Sequence, residues 1–410
     1  MKRTAIAALI VAIAPLSYAA ELPFTGFLEV GLASRVVSDD NADDEILMQE
    51  GRFQLDFLND GDYGTLQFKG DFVSDGVTDE SRLELRELSI VMTPHEQIDL
   101  KVGRQTLTWG TGDLLFLNDL FPKDWQSFFI GRDDEYLKKP SDALRASWFG
   151  DTWNIDLAWT PIFTPDGFVD GERLSYWGGA GKAGPQSGYT IDPVEVDKTI
   201  DNGELAGRIY ANLGGNEIAF YGYRGFYGQP LGYDMDEGNL YHPELVSYGA
   251  SIRSAIFGGV GNIEVARYQS EEDESGDKPM VPNSEVRGLV AFSREILPEQ
   301  TLGVQFYIEH MEDWDTPAED AGGFDLGEDR VWWTLRYRGM FLQQNLILSL
   351  FTFYSPTDDD GYARPKVTYK ISDKLQYTIG GNVFFGEEEN SFFGQLEDNT
   401  NIYARLRYSY

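Results

Sequence analysis

The chain has no cysteine, only three histidines, 33 basic residues against 68 acidic ones, and no long apolar run after its first twenty residues. Without cysteine it has neither a disulfide framework nor a thiolate metal centre. The histidines, His95, His242 and His310, are scattered, and no G-x-S-x-G or H-E-x-x-H pattern accompanies them. Acyl-transfer and zinc-hydrolase chemistry need a nucleophile paired with a base, so the sequence is not read as an enzyme. A formal charge of −35 excludes nucleic acid as a partner for the surface as a whole. No later stretch approaches roughly 18 apolar residues, so no membrane helix is expected.

What is present begins with "MKRTAIAALIVAIAPLSYAAE": a basic start at Lys2 and Arg3, an apolar stretch from Ala5 to Leu16, and small residues at Ser17 and Ala19. This is the pattern of an export signal, and residues 1–19 are set aside as one. Losing Lys2 and Arg3 makes the remaining chain, residues 20–410, two units more negative still. An exported chain without disulfides needs a large core or a membrane to hold it.

A two-residue period recurs in segments of about ten residues, as in a strand with two unlike faces. In "GRFQLDFLN" Phe53, Leu55 and Phe57 alternate with Arg52, Gln54 and Asp56, and in "RVWWTLRYR" Val331, Trp333, Leu335 and Tyr337 alternate with Thr334, Arg336 and Arg338. "NIYARLRYSY" closes the chain with Ile402, Ala404, Leu406, Tyr408 and Tyr410 on one face and Arg405 and Arg407 on the other. About eighteen such strands can be counted, with 16 as the lower count. Short Gly-, Asn-, Asp- and Pro-bearing turns, such as 59–64, 149–152, 213–216 and 372–374, alternate with longer polar connections, such as 36–47, 110–142, 161–203, 226–243 and 386–399. Sorting short and long connectors to opposite ends is the layout of an up-and-down antiparallel transmembrane β-barrel, with short periplasmic turns and long outer loops. The fold class is therefore all-β, and the expected location is the outer membrane of a Gram-negative cell. A soluble sandwich is the alternative for many short strands. Mean hydropathy stays negative because only every second strand residue would meet lipid. Trp148, Trp153, Trp159, Tyr369 and Tyr377 lie near strand ends, where interfacial rings belong.

The polar face of each strand would line a water-filled lumen. It assigns to the lumen Arg52, Lys69, Lys101, Arg145, Arg208, Arg253, Arg287, Arg336, Arg338, Arg364, Lys366, Arg405 and Arg407, with Glu29, Asp56, Asp71, Asp156, Glu264, Glu285 and Glu309 among the acids facing them. In a strongly acidic protein the barrel wall is thus the basic part, and rings of Arg and Lys favour anions. The acids concentrate in outer loops, at 39–45, 271–277, 312–315 and 357–361. Solvation accounts for them; a Ca²⁺ site among those oxygens is the alternative, and no other cofactor is expected. Loop 110–142 is unusually apolar, with Leu114 to Leu117, Leu120, Phe121, Trp125, Phe128 and Phe129. It is read as folding inward to constrict the lumen, offering Lys123, Arg132, Lys138 and Lys139 to a solute; a flap packed over the barrel rim or a contact with another subunit is the alternative.

The run "LKVGRQTLTWGTGDLL", residues 100–115, carries Gly103-Arg104-Gln105 followed by Gly110. It resembles a strand signature of the alginate-export family of outer-membrane barrels. That resemblance implies eighteen strands, an arginine-rich lumen for an anionic polysaccharide, and a lumen or loop-base position for Arg104 and Gln105. Alternation alone puts Arg104 with Leu100 and Val102 on the outward face, and a bulge near Gly103 would bring it inside. The resulting expectation is a porin for passive passage of anionic solutes. A non-selective diffusion porin and a non-conducting anchoring barrel are the alternatives. Outer-membrane lipid, lipopolysaccharide and the barrel-assembly machinery are the expected partners, the last through the aromatic C-terminal strand; the oligomeric state is not legible.

Overall fold

The structure is a computed structural model, and it describes residues 24–410 apart from 43, 178–180, 189, 279, 315–326 and 389. The export signal read at residues 1–19 lies outside the described residues. Among the described residues eighteen antiparallel strands form one closed sheet. They are β1 Thr25–Arg35, β2 Ile46–Gly61, β3 Gly64–Asp75, β4 Glu80–His95, β5 Ile98–Gln105 and β6 Ser141–Phe149. Next come β7 Trp153–Thr160, β8 Glu204–Leu213, β9 Asn216–Phe226, β10 Glu244–Ile256, β11 Gly259–Ser270 and β12 Glu285–Leu297. The last six are β13 Gln300–Met311, β14 Asp329–Phe341, β15 Leu346–Ser355, β16 Asp360–Lys370, β17 Leu375–Gly386 and β18 Asn401–Ser409. Each strand pairs with its sequence neighbours, and β1 pairs with β18 from Phe27↔Ser409 to Arg35↔Asn401. That pairing leaves no sheet edge.

The period seen in the sequence reappears as two faces. On β18 Ile402 and Leu406 point outward, 52% and 45% exposed, while Tyr403 and Arg405 are buried on the inside. Outward aromatics gather towards the strand ends, Trp148, Trp153, Tyr369 and Tyr377 at the short-turn end and Trp159, Trp333 and Tyr354 at the other. Two connections at the long-loop end, 76–79 and 356–359, are themselves tight.

The core lies inside the barrel, because the connection between β5 and β6 turns back into it. Leu107, Leu115, Leu117, Phe121, Phe128, Phe129, Ile130 and Leu137 of that connection are buried against inward residues of the wall such as Tyr268, Leu289, Tyr362 and Phe384. Burying each such side chain contributes about 1.5–3 kcal/mol. The segment is otherwise irregular, with one short α-helix, α1 (Trp125–Phe129), whose Asp124 accepts the Ser127 backbone N–H at 2.8 Å, and a 3-10 turn at Asp134–Leu137 capped by Asp133.

Candidate functional site

An irregular segment inside a barrel must satisfy its backbone against the wall. The β5–β6 connection does so at several places. Glu264 of β11, almost wholly buried, accepts hydrogen bonds from the backbone N–H groups of Thr111, Gly112 and Asn118 and from the Thr111 hydroxyl and Asn118 amide, at 2.7–3.1 Å. Opposite, the Phe129 carbonyl accepts from the Asn382 and Asn401 amides of β17 and β18 at 2.8 and 3.0 Å. From β4, Arg86 donates to the carbonyls of Glu135 and Lys138 at 2.8 and 2.9 Å.

The acidic run Asp133-Asp134-Glu135 lies on the basic wall. Asp133 meets Arg405 at 2.8 Å and Arg407 at 3.5 Å, Asp134 meets Arg364 at 2.5 Å and Lys366 at 2.6 Å, and Glu135 meets Arg407 at 3.6 Å. Asp113, earlier in the same segment, pairs with Arg336, whose guanidinium also lies over the Phe351 ring at 4.7 Å. Burial pushes the Asp133 and Asp134 carboxyls up, but their cationic partners outweigh it and hold both below the usual carboxylate range. For Asp113 and Glu135 burial outweighs Arg336 and Arg407, and both carboxyls shift up.

The remaining inward bases are also largely spent on carboxylates. Arg52 pairs with Asp71 and Glu84 at 2.6 and 2.7 Å, and Lys69 with Asp56 at 3.2 Å. Lys101 pairs with Glu87 at 2.9 Å, and Arg145 and Arg208 with Asp156 at 3.5 and 2.6 Å. Arg287 sits between Glu285 and Glu309. Arg253 and Arg338 share the inward parity of Ser251 and Arg336, and neither makes an ion pair among the described residues.

Four expectations from the sequence are corrected. Arg104 faces outward: β4–β5 and β5–β6 run in unbroken register through it, opposite exposed Leu88 and Asp142, and no bulge turns it in. Gly103 accommodates the strand by a positive φ of 121°, and a Cβ there would collide with the Leu88 carbonyl. Lys123 is buried and salt-bridged to Asp119 at 3.1 Å. Arg132 is buried against Glu50, donating through Nε at 3.0 Å. Lys139 donates to the Pro165 carbonyl at 2.8 Å, and burial lowers its pKa. These three hold the segment together instead of meeting a solute. Only Lys138, 32% exposed and 3.1 Å from Asp119, borders open space.

That space is a cavity of about 380 Å³ between the inner segment and the wall of β14–β16. Arg336, Arg364, Lys366 and Lys138 supply its cations, Asp113, Asp134 and Glu135 its carboxylates, and Leu114, Phe116, Leu137 and Phe351 its apolar surface. The sequence reading missed Asp113, Asp134 and Glu135 as cavity residues, and Asp133 and Arg86 as residues that dock the segment on the wall. An acidic triplet inside an otherwise apolar loop was the available signal. Among the described residues no group of three or more His, Cys, Asp or Glu side chains is placed to hold a metal ion. In the loop after β11, Asp273 caps a turn by accepting the Asp277 and Lys278 backbone N–H groups at 3.1 Å.

No protein-family model matches the chain, and no curated protein does. Among solved structures it is similar to OccAB4 of Acinetobacter baumannii, with a TM-score of 0.55 and 10% identity over 94% of this chain and 97% of that one. It is similar to OpdK of Pseudomonas aeruginosa, solved with vanillate, with a TM-score of 0.54 and 11% identity over 94% and 97%. OccK11 (OpdR) of the same organism follows at 0.53 and 11%, over 94% of each chain. At such identities the likeness is one of fold, and the fold is the closed eighteen-strand barrel of outer-membrane porins.

Proposed function

We propose that the protein is an outer-membrane channel for small organic anions. The observation that carries this reading is the cavity in which three wall cations, Arg336, Arg364 and Lys366, face apolar side chains of an inner segment. A carboxylate would meet charge-assisted donors and the Phe351 ring on the wall side, and its carbon skeleton would meet Leu114, Phe116 and Leu137 of the inner segment on the other. The size of the cavity favours small solutes over the polysaccharide implied by the resemblance of residues 100–115. OpdK, a fold neighbour, was solved with a small carboxylate, which fits the same class of solute. Passage requires binding weak enough to release, and the carboxylates already paired with the wall supply that moderation.

A second reading, a diffusion porin of little selectivity, is favoured by one observation: of the inward bases named from the sequence, only Arg253 and Arg338 lack an ion pair among the described residues. Zero-current potentials across a planar bilayer under a salt gradient separate the two. The proposal expects anion preference that declines when Arg253 and Arg338 are both changed to Gln. Cation preference, or absence of channel current, would refute it.

A further inference from the structure

Arg364 is 5% exposed and Lys366 19%, and both direct their charge at Asp134, which is itself 49% exposed. All three line the cavity, but the two cations are set in the wall, and the carboxylate between them is the most exposed of the three. Its backbone is held independently of that carboxylate. Arg86 grips the Glu135 and Lys138 carbonyls, the Tyr136 hydroxyl donates to Asp71 at 2.8 Å, and the Asp133 side chain accepts from the Glu135 backbone N–H at 3.3 Å. Rotation of one side chain therefore suffices to free both cations.

A buried cation stripped of its counter-ion is costly, so a bare Arg364–Lys366 pair would bind an arriving carboxylate strongly and release it slowly. Exchange of one carboxylate for another avoids both extremes. We propose that Asp134 is a resident stand-in for the carboxylate of the permeating anion, and that a solute passes by displacing it from Arg364 and Lys366 and is in turn displaced by it. Asp134 is thereby a specificity-determining residue: it sets the affinity an anion must match and keeps the subsite from becoming a trap. Burial pushes its carboxyl up, but Arg364 and Lys366 outweigh that and hold it below the usual carboxylate range, so it stays charged, as a competitor must be. The inference rests on the reading of the barrel as an anion channel.

Asp133 provides a matched control. It carries the same charge one residue away and pairs with Arg405 and Arg407, but it does not line the cavity. The experiment uses the full-length protein in planar bilayers in chloride, with gluconate as the blocking carboxylate. Asp134→Asn is expected to lower the half-blocking gluconate concentration about tenfold, as removal of a competitor for charge-assisted bonds should. Asp133→Asn should stay within about twofold of the parent. Lys366→Gln, which keeps the Asp134–Arg364 pair, should raise the blocking concentration about tenfold. If the parent prefers anions and Asp134→Asn behaves as Asp133→Asn does, or blocks less readily, the exchange idea is refuted while the channel reading stands. A parent that prefers cations refutes the channel reading itself.

Discussion

Glu264 and Thr111 meet through two hydrogen bonds, the backbone N–H donating at 2.8 Å and the hydroxyl at 2.7 Å to the same carboxylate oxygen. The second oxygen of Glu264 takes the Asn118 backbone and side-chain N–H groups. One wall residue thus fixes both ends of a turn of the inner segment. Replacing Glu264 with Ala strands these donors and is expected to cost about 3 kcal/mol, since hydrogen bonds to a buried charge are the expensive ones to lose. The expected result is a lower unfolding temperature together with larger, noisier single-channel conductance. Unchanged conductance would show that Tyr268, whose hydroxyl donates to the Leu117 carbonyl at 2.6 Å, and Gln305, whose amide bonds both the N–H and the carbonyl of Asp113 at 2.8 Å, hold the segment without it.

The cavity should respond to pH in two stages. Asp113 and Glu135 have raised pKa values, so they take up protons as pH falls towards, but not yet into, the usual carboxylate range. Cations then outnumber charged carboxylates more strongly, and anion preference should increase. Asp133 and Asp134 have lowered values. Their stabilisation of the docked segment is complete above the unfolded carboxylate pKa and is lost only as pH falls through their depressed folded values. Zero-current potentials measured at descending pH should move towards anions first, and the segment should loosen only in stronger acid. Loosening before any change of selectivity would contradict the assignment.

Arg104 and Asp142 form a two-bond pair at 2.9 and 2.8 Å on the outer face. Arg104→Ala is expected to leave ion selectivity unaltered and to change stability by no more than about 1 kcal/mol. A shift in zero-current potential would place the guanidinium in the permeation path.

Acidic runs at 39–45, 271–277 and 357–361 surround the long-loop end. An anion approaching from that side meets like charge before it reaches the basic wall. Raising salt shortens the screening distance from roughly 10 Å at 0.1 M to about 3 Å at 1 M. The rate at which gluconate enters from the long-loop side should therefore rise with ionic strength, measured as blocking events per unit concentration. An entry rate that falls with salt would show attraction instead of repulsion.

How much of this was legible in the sequence varied with how local the cause was. Alternation in "NIYARLRYSY" sufficed to turn Arg405 and Arg407 inward, because side-chain facing follows from the strand alone. The strand count and the sorting of loops were local in the same sense. Arg86 escaped because the β3–β4 register shifts between Lys69 and Gly70, leaving it beside a bulge where counting by twos fails. Arg104 runs the other way: a bulge at Gly103 would bring it inside, and the ladder has none there. The pairing of Asp134 with Arg364 and Lys366 links residues more than two hundred positions apart, and only the path of the inner segment brings them together.

The same path ties docking of the inner segment to closure of the barrel. The side chains that grip the far side of the inner segment, Arg364, Lys366, Asn382, Asn401 and Arg405, all come from the last three strands, while the segment itself leaves β5. The far half of its grip is therefore complete only in a closed barrel. A chain whose β1–β18 seam opens loses the wall and the hold on its inner segment together.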